Sequence, residues 1–122
     1  ELKIYGNDYQ TKDGSGERDY IHISDLIDGH FSAIDFIFKT QGKKIFNLGT
    51  GKSTSVIELI KTFELVNSIE IPFKISKRRP GDVAICYADP SLAKEVLDWQ
   101  AKYNLSDMCM DAWVGVKDHG FN

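Results

Sequence analysis

The sequence predicts a mixed α/β domain of short strands and about four helices. Apolar residues recur at helical spacing through Ile27, Phe31, Ile34 and Phe38, while Ile69, Ile71, Phe73 and Ile75 alternate with polar neighbours as in a half-buried strand. Helix-start chemistry supplies the third observation. Ser55 precedes Glu58 as a capping box, and Asp89 stands directly before Pro90.

The composition sets bounds on what such a domain does. A chain of 122 residues is one domain or part of one, and 42% hydrophobic with 27% charged residues is ordinary for a globular protein. A net charge of -3 argues against a nucleic-acid partner, which wants a basic face. Cys86 and Cys109 are the only cysteines, so no disulfide framework is implied and a reducing, cytoplasmic setting is expected. No apolar run reaches the ~20 residues of a membrane helix, and no membrane partner is expected. The chain starts at Glu1 in what reads as a strand already under way, so it is expected to be a piece of a longer protein.

In order, Leu2 to Tyr5 is β-prone and predicts a strand. Gly6 to Gly16, rich in Gly, Asp, Asn and Thr, predicts a loop. Ser24 or Asp25 is expected to cap a first helix, whose stripe is so wide that burial against more than one neighbour follows. Gly42 ends that helix, and Ile45 to Leu48 reads as a strand. The turn Gly49-Thr50-Gly51-Lys52-Ser53 imitates a phosphate loop without completing one. A P-loop needs glycine where Phe46 stands, and the dinucleotide fingerprint needs glycine or alanine where Thr54 stands. It is read as a glycine turn leading to a helix with Val56, Ile60 and Phe63 inward, running to about Leu65.

The alternating strand through Ile75, placed at a sheet edge by Pro72, then delivers the chain to Arg78-Arg79-Pro80-Gly81-Asp82. A third helix, capped by Asp89, turns Leu92, Val96 and Trp99 inward. A fourth, from about Asn104 to Val116, buries Leu105, Met108, Ala112, Trp113 and Val116.

Two arginine-bearing loops carry the chemistry. Arginine forks suit a group with two negative charges better than lysine point charges do, and an acid in the same turn can accept hydroxyl donors. Arg18 also reads as a structural partner of Asp19 or Asp25. His22 lacks ligand-spaced partners and reads as a buried, hydrogen-bonded residue. No base is positioned to make Cys109 a nucleophile.

The ordered series Tyr5-Gly6-Asn7-Asp8-Tyr9, Arg18-Asp19-Tyr20-Ile21-His22-Ile23, Asn47-Leu48-Gly49-Thr50-Gly51, Arg78-Arg79-Pro80-Gly81-Asp82 and Tyr87-Ala88-Asp89-Pro90 resembles the UDP-glucose 4-epimerases. These belong to the extended short-chain dehydrogenase/reductase superfamily. The likeness covers essentially the whole chain, matched to the C-terminal, substrate-binding part of that family, with the Rossmann domain absent. The family usually has Glu where Pro80 stands.

The resemblance implies the roles. Arg18 and Arg79 correspond to the arginines on the UDP diphosphate, Asp82 to the acid on the ribose, and Tyr5 to the aromatic beside the uracil. Cys86 falls where the family faces the substituent on sugar carbon 2. A cysteine there leaves room that a tyrosine would fill, so the intact enzyme is expected to take N-acetylated UDP-sugars too. The resemblance also implies a UDP-sugar substrate, NAD held by the missing N-terminal part, and a homodimer for the intact enzyme.

The family's base is a tyrosine four residues before a lysine. Here Tyr5, Tyr9, Tyr20, Tyr87 and Tyr103 are followed at that distance by Tyr9, Asp13, Ser24, Ser91 and Asp107. The chain alone is therefore expected to be inactive. The competing readings are a non-catalytic nucleotide-sugar binding module, or another NAD-dependent nucleotide-sugar epimerase or dehydratase.

Overall fold

β1 (Leu2–Tyr5) and β4 (Phe73–Ser76) run parallel, with Leu2 opposite Phe73 and Tyr5 opposite Ser76. They are seen in a computed structural model that describes residues 1–119. Ile4 is buried in β1 as a β-prone core residue should be, whereas Phe73 and Ile75 are exposed. The half-buried strand expected from Ile69 onward is corrected on both counts. Pro72 has no N–H for a ladder, and its carbonyl accepts from Leu2. The N–H groups of Ile69 and Ile71 go instead to Glu64.

A second sheet centres on β2 (Glu17–Arg18), with β3 (Thr54–Ser55) antiparallel on one side and β5 (Ile85–Cys86) parallel on the other. Elements this short leave no period to read in the sequence. Their pairing nevertheless places Arg18 opposite Cys86.

α1 (Ile23–Lys39) starts earlier than expected. His22, rather than Ser24 or Asp25, is its cap, its Nδ1 accepting from the Ser24 N–H at 3.1 Å. Asp25 is buried inside the helix and accepts the backbone N–H groups of Lys102 and Tyr103 at 3.1 Å. Trp99 Nε1 donates to the Asp25 carbonyl at 3.0 Å. A Cβ at Gly29 would stand 2.7 Å from Leu48 and 3.2 Å from Trp99, so only glycine allows this approach.

The broad apolar stripe is not doubly buried: Phe31 is 65% and Phe38 85% exposed. Asp25 and Gly29 are the buried positions of α1, and Phe36 packs edge-on against Phe46 at 5.5 Å, while Ile27, Phe31, Ile34 and Phe38 are exposed. The strand expected at Ile45 to Leu48 is corrected for a related reason. A strand needs a ladder partner, the segment has none among the described residues, and Ile45 is 70% exposed.

α2 (Val56–Asn67) begins where the capping signal put it, with Ser55 Oγ accepting from the Glu58 N–H at 3.0 Å. It packs on α4 (Leu105–His119) through Phe63 edge-on to Trp113 at 6.0 Å, and Asn67 donates to the Cys109 carbonyl at 3.1 Å. Ile60 and Cys109 are buried at this seam, but Ala112 and Val116 are exposed, because one neighbouring helix covers only a narrow stripe.

α3 (Ser91–Leu97) has Pro90 at its cap position, with Asp89 one residue earlier still accepting the Ser91 N–H at 3.0 Å. Those hydrogen bonds from Ser91 lower the Asp89 pKa. Ala93 and Trp99 are buried here, whereas Leu92, expected inward, is exposed.

Candidate functional site

The site begins where β1 and β4 end side by side. Gly6 turns the chain at φ 88°, and a Cβ there would lie 2.6 Å from the Tyr9 ring and 2.8 Å from Arg78 Cγ. Arg78 sits over the Tyr9 ring at 3.9 Å and donates from Nε to Asp8 at 2.7 Å. The next residue, Arg79, sits over the Tyr5 ring at 4.7 Å. Adjacent cations are thus seated on two successive aromatics.

Arg79 Nε also donates to Asp82 at 2.9 Å, and this hydrogen bond raises the Arg79 pKa further. The turn between them is closed by the Asp82 N–H donating to the Arg79 carbonyl at 3.3 Å, with Gly81 at φ 87°. From β2, Arg18 brings Nη2 to 3.9 Å from the same carboxylate, while Nη1 donates to the Glu17 carbonyl at 2.7 Å. Neither Asp19 nor Asp25 takes up Arg18.

A cavity of about 250 Å³ is lined by Tyr5, Tyr9, Arg18, Tyr20, Arg79 and Asp82, among others. It brings together four of the five residues that the sequence singles out. Two guanidinium groups outnumber one carboxylate, so the cavity keeps a net positive lining suited to an anion. Cys86 does not line it. It lines a neighbouring cleft of about 390 Å³ with Asp19, Asn47 and Ala88, and Arg18 belongs to both. A larger groove of about 570 Å³ is lined by His22, Phe63 and Cys109 among others and contains no arginine, so chemistry rather than size selects the smaller cavity.

The loop between Gly6 and Gly16 is pinned to α2. Asp13 accepts the Ser15 N–H at 3.0 Å and the Ser15 hydroxyl at 2.7 Å, and the Ser55 hydroxyl also donates to it. Burial works to raise the Asp13 pKa, but the Ser55 and Ser15 hydrogen bonds together outweigh it and hold the carboxyl below its usual range.

The glycine turn does not offer free donors to a phosphate. The N–H groups of Thr50 and Gly51 both donate to Asp19 at 3.0 Å. A dinucleotide pyrophosphate therefore does not fit at this turn. His22 is also accounted for structurally: it caps α1, stacks on Tyr103 at 4.3 Å and meets Asp111 at 3.1 Å.

Sequence reasoning missed Tyr9, Tyr20 and Asp19. Tyr9 is nearly buried, and its hydroxyl has no hydrogen-bond partner among the described residues. Its place four residues after Tyr5 was the available signal. In the sequence Asp19 reads only as a partner for Arg18.

The family model described as GDP-mannose 4,6 dehydratase matches residues 1–112. A UDP-glucose 4-epimerase of Bacillus subtilis (strain 168) is 50% identical over 113 residues, covering 93% of this chain and 33% of that protein. The crystal structure of UDP-glucose-4-epimerase from Stenotrophomonas maltophila with bound NAD and formylated UDP-arabinopyranose superposes at a TM-score of 0.93. It is 44% identical, over 98% of this chain and 35% of that one. The Bifidobacterium longum UDP-glucose 4-epimerase in complex with NAD+ and UDP gives 0.90 and 46%, over 99% of this chain and 36% of that one. The chain spans about a third of the length of the curated relatives it matches.

Proposed function

The chain belongs to the GDP-mannose 4,6 dehydratase family, and from that footing we propose that residues 1–122 are the UDP-sugar-binding portion of a UDP-glucose 4-epimerase of galactose metabolism. One observation carries the reading. Tyr5 from β1, Arg18 from β2, and Arg79 and Asp82 from the turn after β4 line a single cavity. A diphosphate there accepts from two guanidinium forks, and its charge is not opposed by the one carboxylate present. Asp82 accepts from ribose hydroxyls, and the Tyr5 ring offers a flat apolar face to the uracil.

The sugar extends past Arg18 into the cleft beside Cys86. A small side chain there leaves space for a substituent on carbon 2, so the intact enzyme interconverts N-acetylated UDP-sugars as well as the simple ones. Epimerisation at carbon 4 needs hydride removal and return, which is NAD chemistry. We assign the NAD site and the base to the portion of the enzyme outside these residues. The intact enzyme works as a cytoplasmic homodimer. Among the described residues no helix is long and apolar enough to cross a membrane.

The family model's description favours one other reading, a dehydratase acting on a nucleotide sugar. Its test is the same assay. The intact protein, given NAD and UDP-galactose, should form UDP-glucose, while the 122-residue chain alone should match the no-enzyme blank. A 4-keto-6-deoxy product from the intact protein would favour the dehydratase. Binding of UDP-sugar without any product would favour a binding module.

A further inference from the structure

We propose that Asp19 is a positioning residue that fixes the distance between the diphosphate clamp and the sugar-side cleft; this rests on the UDP-sugar reading above. Its carboxylate collects donors from two separate segments. Oδ1 accepts the Thr50 N–H at 3.0 Å and the Thr50 hydroxyl at 2.5 Å. Oδ2 accepts the N–H groups of Gly51 at 3.0 Å and Ala88 at 3.2 Å. Its own N–H donates to the Cys86 carbonyl at 3.1 Å, continuing by one residue the pairing of Arg18 with Cys86.

One side chain therefore ties the glycine turn and the Cys86–Ala88 segment to the end of β2; Cys86, Tyr87 and Ala88, with Asn47 and Leu48 just ahead of the turn, line the cleft of about 390 Å³. The fit is close. A Cβ at Gly49 would lie 2.6 Å from both Ala88 Cβ and Asp19 Oδ2. The turn resembles a phosphate cradle because its amides converge as in one; the anion they hold is internal.

Arg18 lines both the cavity and the cleft, whereas Asp19 lines the cleft alone and spends its carboxylate on the backbone around it. Arg18 is the residue shared with the cavity, and Asp19 holds the walls of the cleft. Loosening Asp19 lets the Cys86–Ala88 wall drift relative to Arg18. The Tyr5, Arg79 and Asp82 contacts do not involve that wall. The expected signature is loss at the sugar end with UDP binding retained.

Asn at position 19 presents an NH2 group to N–H donors on one wall, and that wall loses its acceptor. In the intact enzyme, Asp19→Asn should lower kcat/KM for UDP-galactose at least ~10-fold, the scale of a lost hydrogen bond to a charged group. The Kd for UDP should change less than about twofold. Thr50→Val, which removes the hydroxyl that donates to Asp19 and accepts the Lys52 N–H at 3.2 Å but keeps the Thr50 N–H bond, should show the same signature more weakly. Amide hydrogen exchange at Gly51 and Ala88 reads the clamp without any substrate and should quicken in Asp19→Asn. Equal losses for UDP and UDP-galactose would mean general destabilisation and overturn the proposal, as would unchanged exchange at both amides. A parent enzyme that fails to bind UDP would overturn the UDP-sugar reading, and the exchange rates would still decide whether Asp19 is the clamp.

Discussion

Arg18 on β2 and Asp82 in the turn after β4 stand 3.9 Å apart, guanidinium to carboxylate. Asp82 also receives Arg79 at 2.9 Å, so one acid gathers two cations, one from β2 and one from its own turn. These side chains are partly exposed, and solvated ion pairs contribute little to stability. Their arrangement matters for aiming the forks. Asp82→Ala should therefore leave the melting temperature of the intact protein nearly unchanged while weakening UDP at least ~10-fold, a ratio that calorimetry and a thermal melt read together. A large drop in melting temperature with UDP affinity intact would reverse that assignment.

Cys86 is exposed, whereas Cys109 is buried, and that burial pushes the Cys109 thiol pKa up. A thiolate is the reactive form, so iodoacetamide should modify Cys86 first and Cys109 only on unfolding. UDP-galactose should slow the Cys86 reaction. Mass spectrometry of the digested protein distinguishes the two sites, and equal rates in the native state would contradict the placement.

On the proposed UDP-sugar reading, volume beside Cys86 governs the N-acetyl reaction. Cys86→Tyr in the intact enzyme should reduce turnover of UDP-N-acetylgalactosamine at least ~10-fold more than turnover of UDP-galactose, as a filled pocket rejects the larger substrate. Equal losses on both substrates, or a parent enzyme indifferent to N-acetyl sugars, would remove the steric argument.

Asp13 fixes the loop ahead of Arg18, and its carboxyl is held below the usual range in the folded chain. A lowered folded pKa means the stabilisation is present above the unfolded pKa of about 3.9 and is lost as pH falls through the folded value. Denaturation midpoints measured at decreasing pH below about 4 should fall more steeply for the parent than for Asp13→Asn. Parallel curves would show that the Ser15 and Ser55 hydrogen bonds do not favour the ionised form.

The parts legible in the sequence are those whose cause is local. Ser55 caps α2 through the Glu58 N–H, which a three-residue spacing reveals. β1 occupies the span from Leu2 to Tyr5 that its residues prefer. Tyr5, Arg18, Arg79 and Asp82 converge, yet their meeting depends on β1 pairing with β4 and β2 lying beside β5, which no residue announces. The α1 stripe gives the helix but not what covers it, and Phe38 is 85% exposed. Ile45 to Leu48 looks like a strand because its composition does, but strand formation needs a partner. Asp19 stayed hidden because its donors at Thr50, Gly51 and Ala88 are backbone groups, which every residue but proline carries.

The central claim is that Arg18 and Arg79 hold the diphosphate of UDP. Calorimetric titration of the intact protein and its Arg18→Ala and Arg79→Ala variants with UDP and with uridine tests it most directly. Each variant should bind UDP at least ~10-fold more weakly than the parent, with uridine affinity changed less than about twofold, since uridine lacks the phosphates. Unchanged UDP affinity in both variants, or an equal loss for uridine, would contradict the account.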